Sequence, residues 1–193
     1  MDHSALAQPA LPVDARMRRS RGRLLDTLLI LLEEQPFDQI TIREITRRAG
    51  VGYATFFRHY PTKEALLDEL ASHQIRTLLE MSVPVLYETS SQQSSITLCA
   101  YVDKHRKLWT ALLTGGAAGI VRDAFLRQAE QLPAPTPAST SWLPEELRVI
   151  HATTATIEIL TWWLQRRHDL GVEEIATILN RLVIAPSIAP IDG

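Results

Sequence analysis

Apolar residues recur along this chain at intervals of three and four, and no stretch alternates apolar with polar residues over a useful strand length. The pattern predicts an all-α fold. Leu24, Leu25, Leu28, Leu31 and Leu32 fall on one side of a helix that starts near Arg16 and stops at Pro36, which cannot continue it. A tightly specified element follows in ITIREI, residues 40–45. Thr41 is placed to cap a helix, Glu44 to reach back to the Thr41 N–H, and Ile40 and Ile45 to pack across the cap. Gly50 fits the left-handed position that ends this helix after about two turns. A second short helix spans roughly 52–60, and Pro61 with Thr62 restarts the chain into a third from Lys63.

From Lys63 onward the periodicity predicts helix after helix. One runs to about Met81 and ends before Pro84; others cover 93–113, with a break near His105, and 117–131. LPAPTPASTSWLP, residues 132–144, is a loop by composition. Pro144, Glu145 and Glu146 then open a helix that Arg166, Arg167 and His168 close, the charge order the helix dipole favours. Along it Leu147, Ile150, Thr154, Ile157, Thr161 and Leu164 form a stripe beside Trp162 and Trp163. Gly171 separates it from a last helix carrying Val172, Ile175, Ile178, Leu179, Leu182 and Val183. Residues 1–14 hold Pro9 and Pro12 without periodicity and are expected to form a mobile arm.

Composition adds a compartment. At 193 residues and 46% apolar content the chain can bury a real core. The single Cys99 excludes an internal disulfide; no start resembles a secretory signal, and the longest apolar run, Leu28 to Leu32, is far too short for a bilayer. A cytoplasmic location without membrane contact is expected.

Charge divides the chain. Residues 15–63 carry ten Arg or Lys against five acids, whereas 64–193 carry ten against fifteen. The N-terminal part therefore suits a polyanion that the remainder would repel. Two short helices joined by AGVG, residues 49–52, make a helix-turn-helix, whose second helix suits the major groove of double-stranded DNA. Arg47, Arg48, Arg58, His59 and Lys63 cluster around that second helix. Lys63 stands at a helix N-terminus, a poor place for a cation unless a phosphate shares the site.

The run TIREITRRAGVGYATFFRHYPTKEALL, residues 41–67, resembles the DNA-binding signature of the TetR (tetracycline-repressor) family of bacterial transcription regulators. Thr46 replaces the usual alanine, Gly52 a serine cap, and Phe57 a tyrosine that commonly touches phosphate. The resemblance implies a helix-turn-helix DNA-binding domain at 15–62 and a helical ligand-binding and dimerisation domain at 63–193. It implies that Thr41, His59 and Lys63 hold phosphates and that Tyr53, Ala54 and Thr55 approach base edges, with Arg43, Gly52 and Arg58 alongside. Phe57 has no donor and is left a sugar or a thymine methyl. Arg16 to Arg23, expected to precede the settled part of the first helix, would follow the DNA backbone or enter a minor groove.

The resemblance further implies a homodimer through residues 144–184, setting two reading helices about 34 to 36 Å apart on a palindrome. A small-molecule effector, mostly apolar or aromatic, is expected inside the C-terminal helices. Tyr101, His105, Trp109, His151, Thr154 and Trp162 are the expected lining, being polar or aromatic groups on otherwise apolar helices. The function implied is a ligand-responsive regulator of the repressing kind.

Two other classes compete. Six histidines at 3, 59, 73, 105, 151 and 168 show no metal-binding spacing, Cys99 has no cysteine partner, and TGGAAG at 114–119 lacks the Lys-Ser and preceding strand of a phosphate loop. No cofactor, metal or catalytic residue is expected, and TGGAAG becomes a helix-linking turn. The Gly52 and Phe57 departures leave open a dimeric interaction or small-molecule-binding protein without sequence-specific DNA binding.

Overall fold

A computed structural model describes residues 13–132, 144–166 and 169–188. The arm expected at 1–14 falls almost wholly outside them, as do most of the proline-rich loop and the two cations at 167 and 168. Among the described residues every regular element is helical. In chain order these are α1 (Val13–Glu34), a 3₁₀ turn (Phe37–Gln39), α2 (Ile42–Ala49), α3 (Tyr53–His59), α4 (Lys63–Glu88), α5 (Ser91–Lys104) and α6 (Arg106–Leu113). A second 3₁₀ turn (Gly115–Ala117), α7 (Ala118–Ala129), α8 (Glu145–Arg166) and α9 (Val172–Leu179) follow, and a π-helical stretch (Asn180–Ile184) leads into α10 (Ala185–Ile188).

The small N-terminal unit forms where Leu24, Leu28 and Leu31 of α1 bury against Ile45 and Ala49 of α2 and Phe56 of α3. Thr46, buried where an apolar residue would pack, donates its hydroxyl to the Ile42 carbonyl at 2.9 Å, so no donor is orphaned. Helix α4 leaves this unit and continues through Leu66, Leu67, Leu70, Ile75 and Leu78 into the bundle, packing on α1, α5 and α7. The buried residues make one continuous core from Leu24 to Val183, so no gap in packing marks a boundary at 62/63.

The N-terminal unit also rests on the bundle through its 3₁₀ turn. The Asp38 carboxylate lies so close to Gly116 that a Cβ there would meet it at 2.0 Å, which is why this turn carries a residue without a side chain. TGGAAG is thus the helix-linking turn expected of it.

Several boundaries differ from the periodicity. Helix α4 passes through Pro84 to Glu88. Pro84 and Glu80, whose carbonyl loses its partner, are both exposed, so water can satisfy what the ring displaces. Arg16 to Arg23 belong to α1, which begins at Val13. The π stretch after α9, in which the Ala185 N–H bonds the Asn180 carbonyl, precedes Pro186, whose ring would clash with the carbonyl four residues back. The break at His105 falls where expected.

Candidate nucleic-acid interface

Thr41 Oγ1 accepts the Glu44 N–H at 3.2 Å, forming the Thr41 half of the capping box. Helix α2 ends at Gly50 in the left-handed region (φ 59°), and the Val51 N–H returns to the Thr46 carbonyl at 3.0 Å. Gly52 then caps α3 in an extended conformation without a side-chain bond. Phe56 and Tyr60 pin α3 to the unit's core, their rings 5.9 Å apart. The opposite face looks outward: Tyr53 is 51% exposed, Phe57 46%, and Ala54 and Arg58 are exposed beside them. Tyr53 and Phe57, one turn apart, meet edge to face at 5.2 Å. Arg58 donates to Thr55 Oγ1 at 2.8 Å, which orients both on that face.

Cations surround this face unevenly. Arg43 and Arg47 are exposed on α2. Arg48 instead forks onto Glu34 of α1, one of its two bonds at 2.6 Å, and holds that carboxyl below its usual range. His59 is half-buried, its Nε2 2.7 Å from Ser20 Oγ. Because the Ser20 hydroxyl donates to the Met17 carbonyl at 2.9 Å, the imidazole N–H is the donor to Ser20. Burial first, then the positive charges of Arg21 and Arg58, hold the His59 pKa below its ordinary 6.5.

A second cluster went unforeseen in the sequence. Glu69 Oε2 on α4 accepts from Arg21 Nη2 of α1 at 2.7 Å and from the Tyr60 hydroxyl at 3.0 Å, tying the end of α3 to both long helices. Burial pushes the Tyr60 hydroxyl up to about 12. Forty-eight positions separate Arg21 from Glu69, and no local pattern links them.

Lys63 departs most from expectation. Its ammonium donates to the carbonyls of Ile40 at 2.8 Å, Phe37 at 3.0 Å and Asp38 at 3.4 Å, and lies 4.5 Å from the Phe37 ring centre. Those three carbonyls use all three of its protons. The 3₁₀ turn's carbonyl end, rather than a phosphate, answers the misplaced cation at the start of α4.

The six expected pocket residues do not all come together. Tyr101, His105 and Trp109 do cluster, with ring centres 4.7 Å apart for Tyr101–His105 and 6.4 Å for Tyr101–Trp109, and the Tyr101 hydroxyl lies 3.2 Å from Gln74 Oε1. Trp109 is fully buried, its indole N–H without a protein acceptor. His151 and Trp162 are exposed on α8, and Thr154 is half-buried. None of the six lines the apolar cavity of about 160 Å³ between α4, α5, α7, α8 and α10. The correction has a simple cause: large aromatic rings fill the space they border, and the cavity opens where Ser82, Ser94, Ala129 and Ala152 leave room.

Among the described residues no three His, Cys, Asp or Glu side chains gather to hold a metal ion, and no helix is long and apolar enough to cross a membrane. Burial pushes the Cys99 thiol up to about 12. A short helix anchored by two aromatics, turned outward beside a basic helix end, places the chain among helix-turn-helix DNA-binding proteins. Residues 24–70 match a family model described as bacterial regulatory proteins of the tetR family, which supports reading the chain as a TetR-type regulator.

Its similarity to the HTH-type transcriptional repressor Rv3405c of Mycobacterium tuberculosis is 27% identity over 191 residues, covering 93% of this chain and 96% of that one. With the HTH-type regulator YxbF of Bacillus subtilis it shares 35% over 69 residues, covering 35% of this chain and 18% of that longer one. The fold is similar to a TetR transcriptional regulator from Streptococcus agalactiae, with a TM-score of 0.63 at 21% identity over 88% of this chain and 96% of that one. It is also similar to Thermus thermophilus FadR, a repressor solved with lauroyl-CoA, with a TM-score of 0.56 at 18% identity over 86% and 94% of the two chains.

Proposed function

We propose that this protein is a ligand-responsive repressor that binds a palindromic operator as a homodimer in the cytoplasm. The outward face of α3 carries the proposal: Tyr53, Ala54, Phe57 and Arg58 stand exposed on a helix whose other side is locked into the core. In this reading Tyr53, Ala54 and Thr55 approach base edges, and Phe57 packs on a sugar or a thymine methyl. Thr41, Arg43, Arg58 and His59 border the phosphates, and Gly52 permits a close backbone approach. Lys63 serves recognition indirectly, by fixing the start of α4.

The reading unit is residues 15–62 and the effector and dimer unit 63–193, with α4 shared as the lever between them. Leu147, Ile150 and Trp162 are exposed on α8, and Leu182 beyond α9 is 64% exposed, while Ile157 and Leu164 of the same sequence stripe are buried in their own subunit. This exposed apolar surface within 144–184 supports a dimer in which a second copy covers it. The apolar cavity supports an effector, as does the lauroyl-CoA complex of the similarly folded FadR.

Selection of bound fragments from random DNA, followed by titration against salt, tests the reading. A palindromic site and a log–log salt slope of several units are expected. No enrichment, or binding indifferent to salt, would overturn it. Sedimentation at micromolar protein should show a dimer; a monomer would remove that part.

A further inference from the structure

We infer that the cavity between α4, α5, α7 and α8 takes a small amphiphilic monocarboxylate, its head on Arg148 and its apolar body about the size of one aromatic ring. The inference rests on the ligand-responsive reading above and deepens it by naming the ligand's chemistry. Leu79, Val83, Leu98, Phe125 and Ala152 make an apolar wall around about 160 Å³, close to a cavity of about 150 Å³ that admits benzene. Of the three serines in the lining, two are already committed: Ser82 donates to the Leu78 carbonyl at 2.9 Å and Ser94 to the Ser82 carbonyl at 2.8 Å.

Arg148 differs from every other residue of the lining. It is the one charged side chain among the described residues there, and only 13% of its side-chain surface is accessible. Its ion pair is a single long contact, 3.5 Å to Glu145 Oε1, and Glu145 is 53% exposed at the rim. One such contact leaves most of the guanidinium's five N–H donors to be completed by solvent or by an acceptor at the cavity mouth, and an anion there would complete them best. A carboxylate accepts two parallel bonds from that fork. A single cation matches a monoanion better than a phosphate dianion, and the volume matches a six- to eight-carbon acid better than a long acyl chain. Because Leu79 and Val83 belong to α4, filling the cavity presses on the helix that begins at the reading unit.

The test uses the full chain and isothermal titration with phenylacetate and hexanoate against their neutral amides. The wild type should bind the acids about ten- to hundredfold more tightly than the amides. Arg148→Met should erase that preference while still binding amide, and Arg148→Lys, which keeps charge without the fork, should reduce it severalfold. Ala152→Phe should remove binding of acid and amide together. Equal affinity for acid and amide, an undiminished preference in Arg148→Met, or no binding of any probe would overturn the inference. Lauroyl-CoA binding tightly without competition from the acids would do so too. Acids that bind through Arg148 yet leave operator DNA bound would sink the effector reading and leave the ligand chemistry standing.

Discussion

The Lys63 ammonium donates to the Ile40 carbonyl at 2.8 Å, joining the first residue of α4 to the last residue before α2's cap. A side chain placed by sequence at the DNA backbone is thereby spent inside the protein, and the separation of these two elements depends on it.

Lys63→Met should cost about 1 to 3 kcal/mol of stability, since three carbonyls lose a charged donor. DNA affinity should fall on every sequence while the salt slope stays unchanged. A slope lower by about 0.9 in the variant would show instead that Lys63 neutralises a phosphate.

The two faces of α3 should separate stability from recognition. Phe56→Ala, emptying a fully buried site, should cost about 3 to 5 kcal/mol in denaturant unfolding. Tyr53→Ala should stay within about 0.5 kcal/mol of wild type, yet shift base preference about tenfold at particular positions. Uniform loss across all sequences would contradict the role given to Tyr53.

Gly52→Ser should stabilise the protein by a few tenths of a kcal/mol. The position is extended, and an added Cβ meets Thr55 Oγ1 at an ordinary 3.5 Å, so the hydroxyl can cap α3 without strain. A lower melting temperature would mean that the cap geometry is not reached.

Acid should weaken the fold through His59. Its folded pKa lies below the ordinary 6.5, so the native state binds fewer protons than the unfolded one between those values. The associated stability is complete above about pH 6.5 and is lost as pH falls through the depressed pKa. Between about pH 7.5 and pH 5, His59→Gln should lose less melting temperature than wild type. Equal losses would assign the acid sensitivity elsewhere.

Much of this was legible because the signals are local. Thr41, Gly50 and Pro61 punctuate the N-terminal unit within a few residues of the helices they bound, and a cap or a left-handed glycine acts over that same distance. Pro84 misled because a proline's cost depends on whether the displaced carbonyl meets water, a property of exposure. The pocket misled for a related reason: residue type foretells what can touch a ligand, and packing decides where space remains.

By itself the sequence determined the helical periods, the helix-turn-helix with its basic surround, and the aromatic braces under α3, since each follows from spacing along one chain. Tertiary structure decided what those side chains do next. Lys63 turned to carbonyls 23 to 26 residues away, His59 to Ser20, Tyr60 and Arg21 to Glu69, and Arg148 to an apolar cavity. Burial and unpaired donors are set by neighbours distant in sequence, so a charge is assigned to solvent, protein or ligand only once the chain has packed.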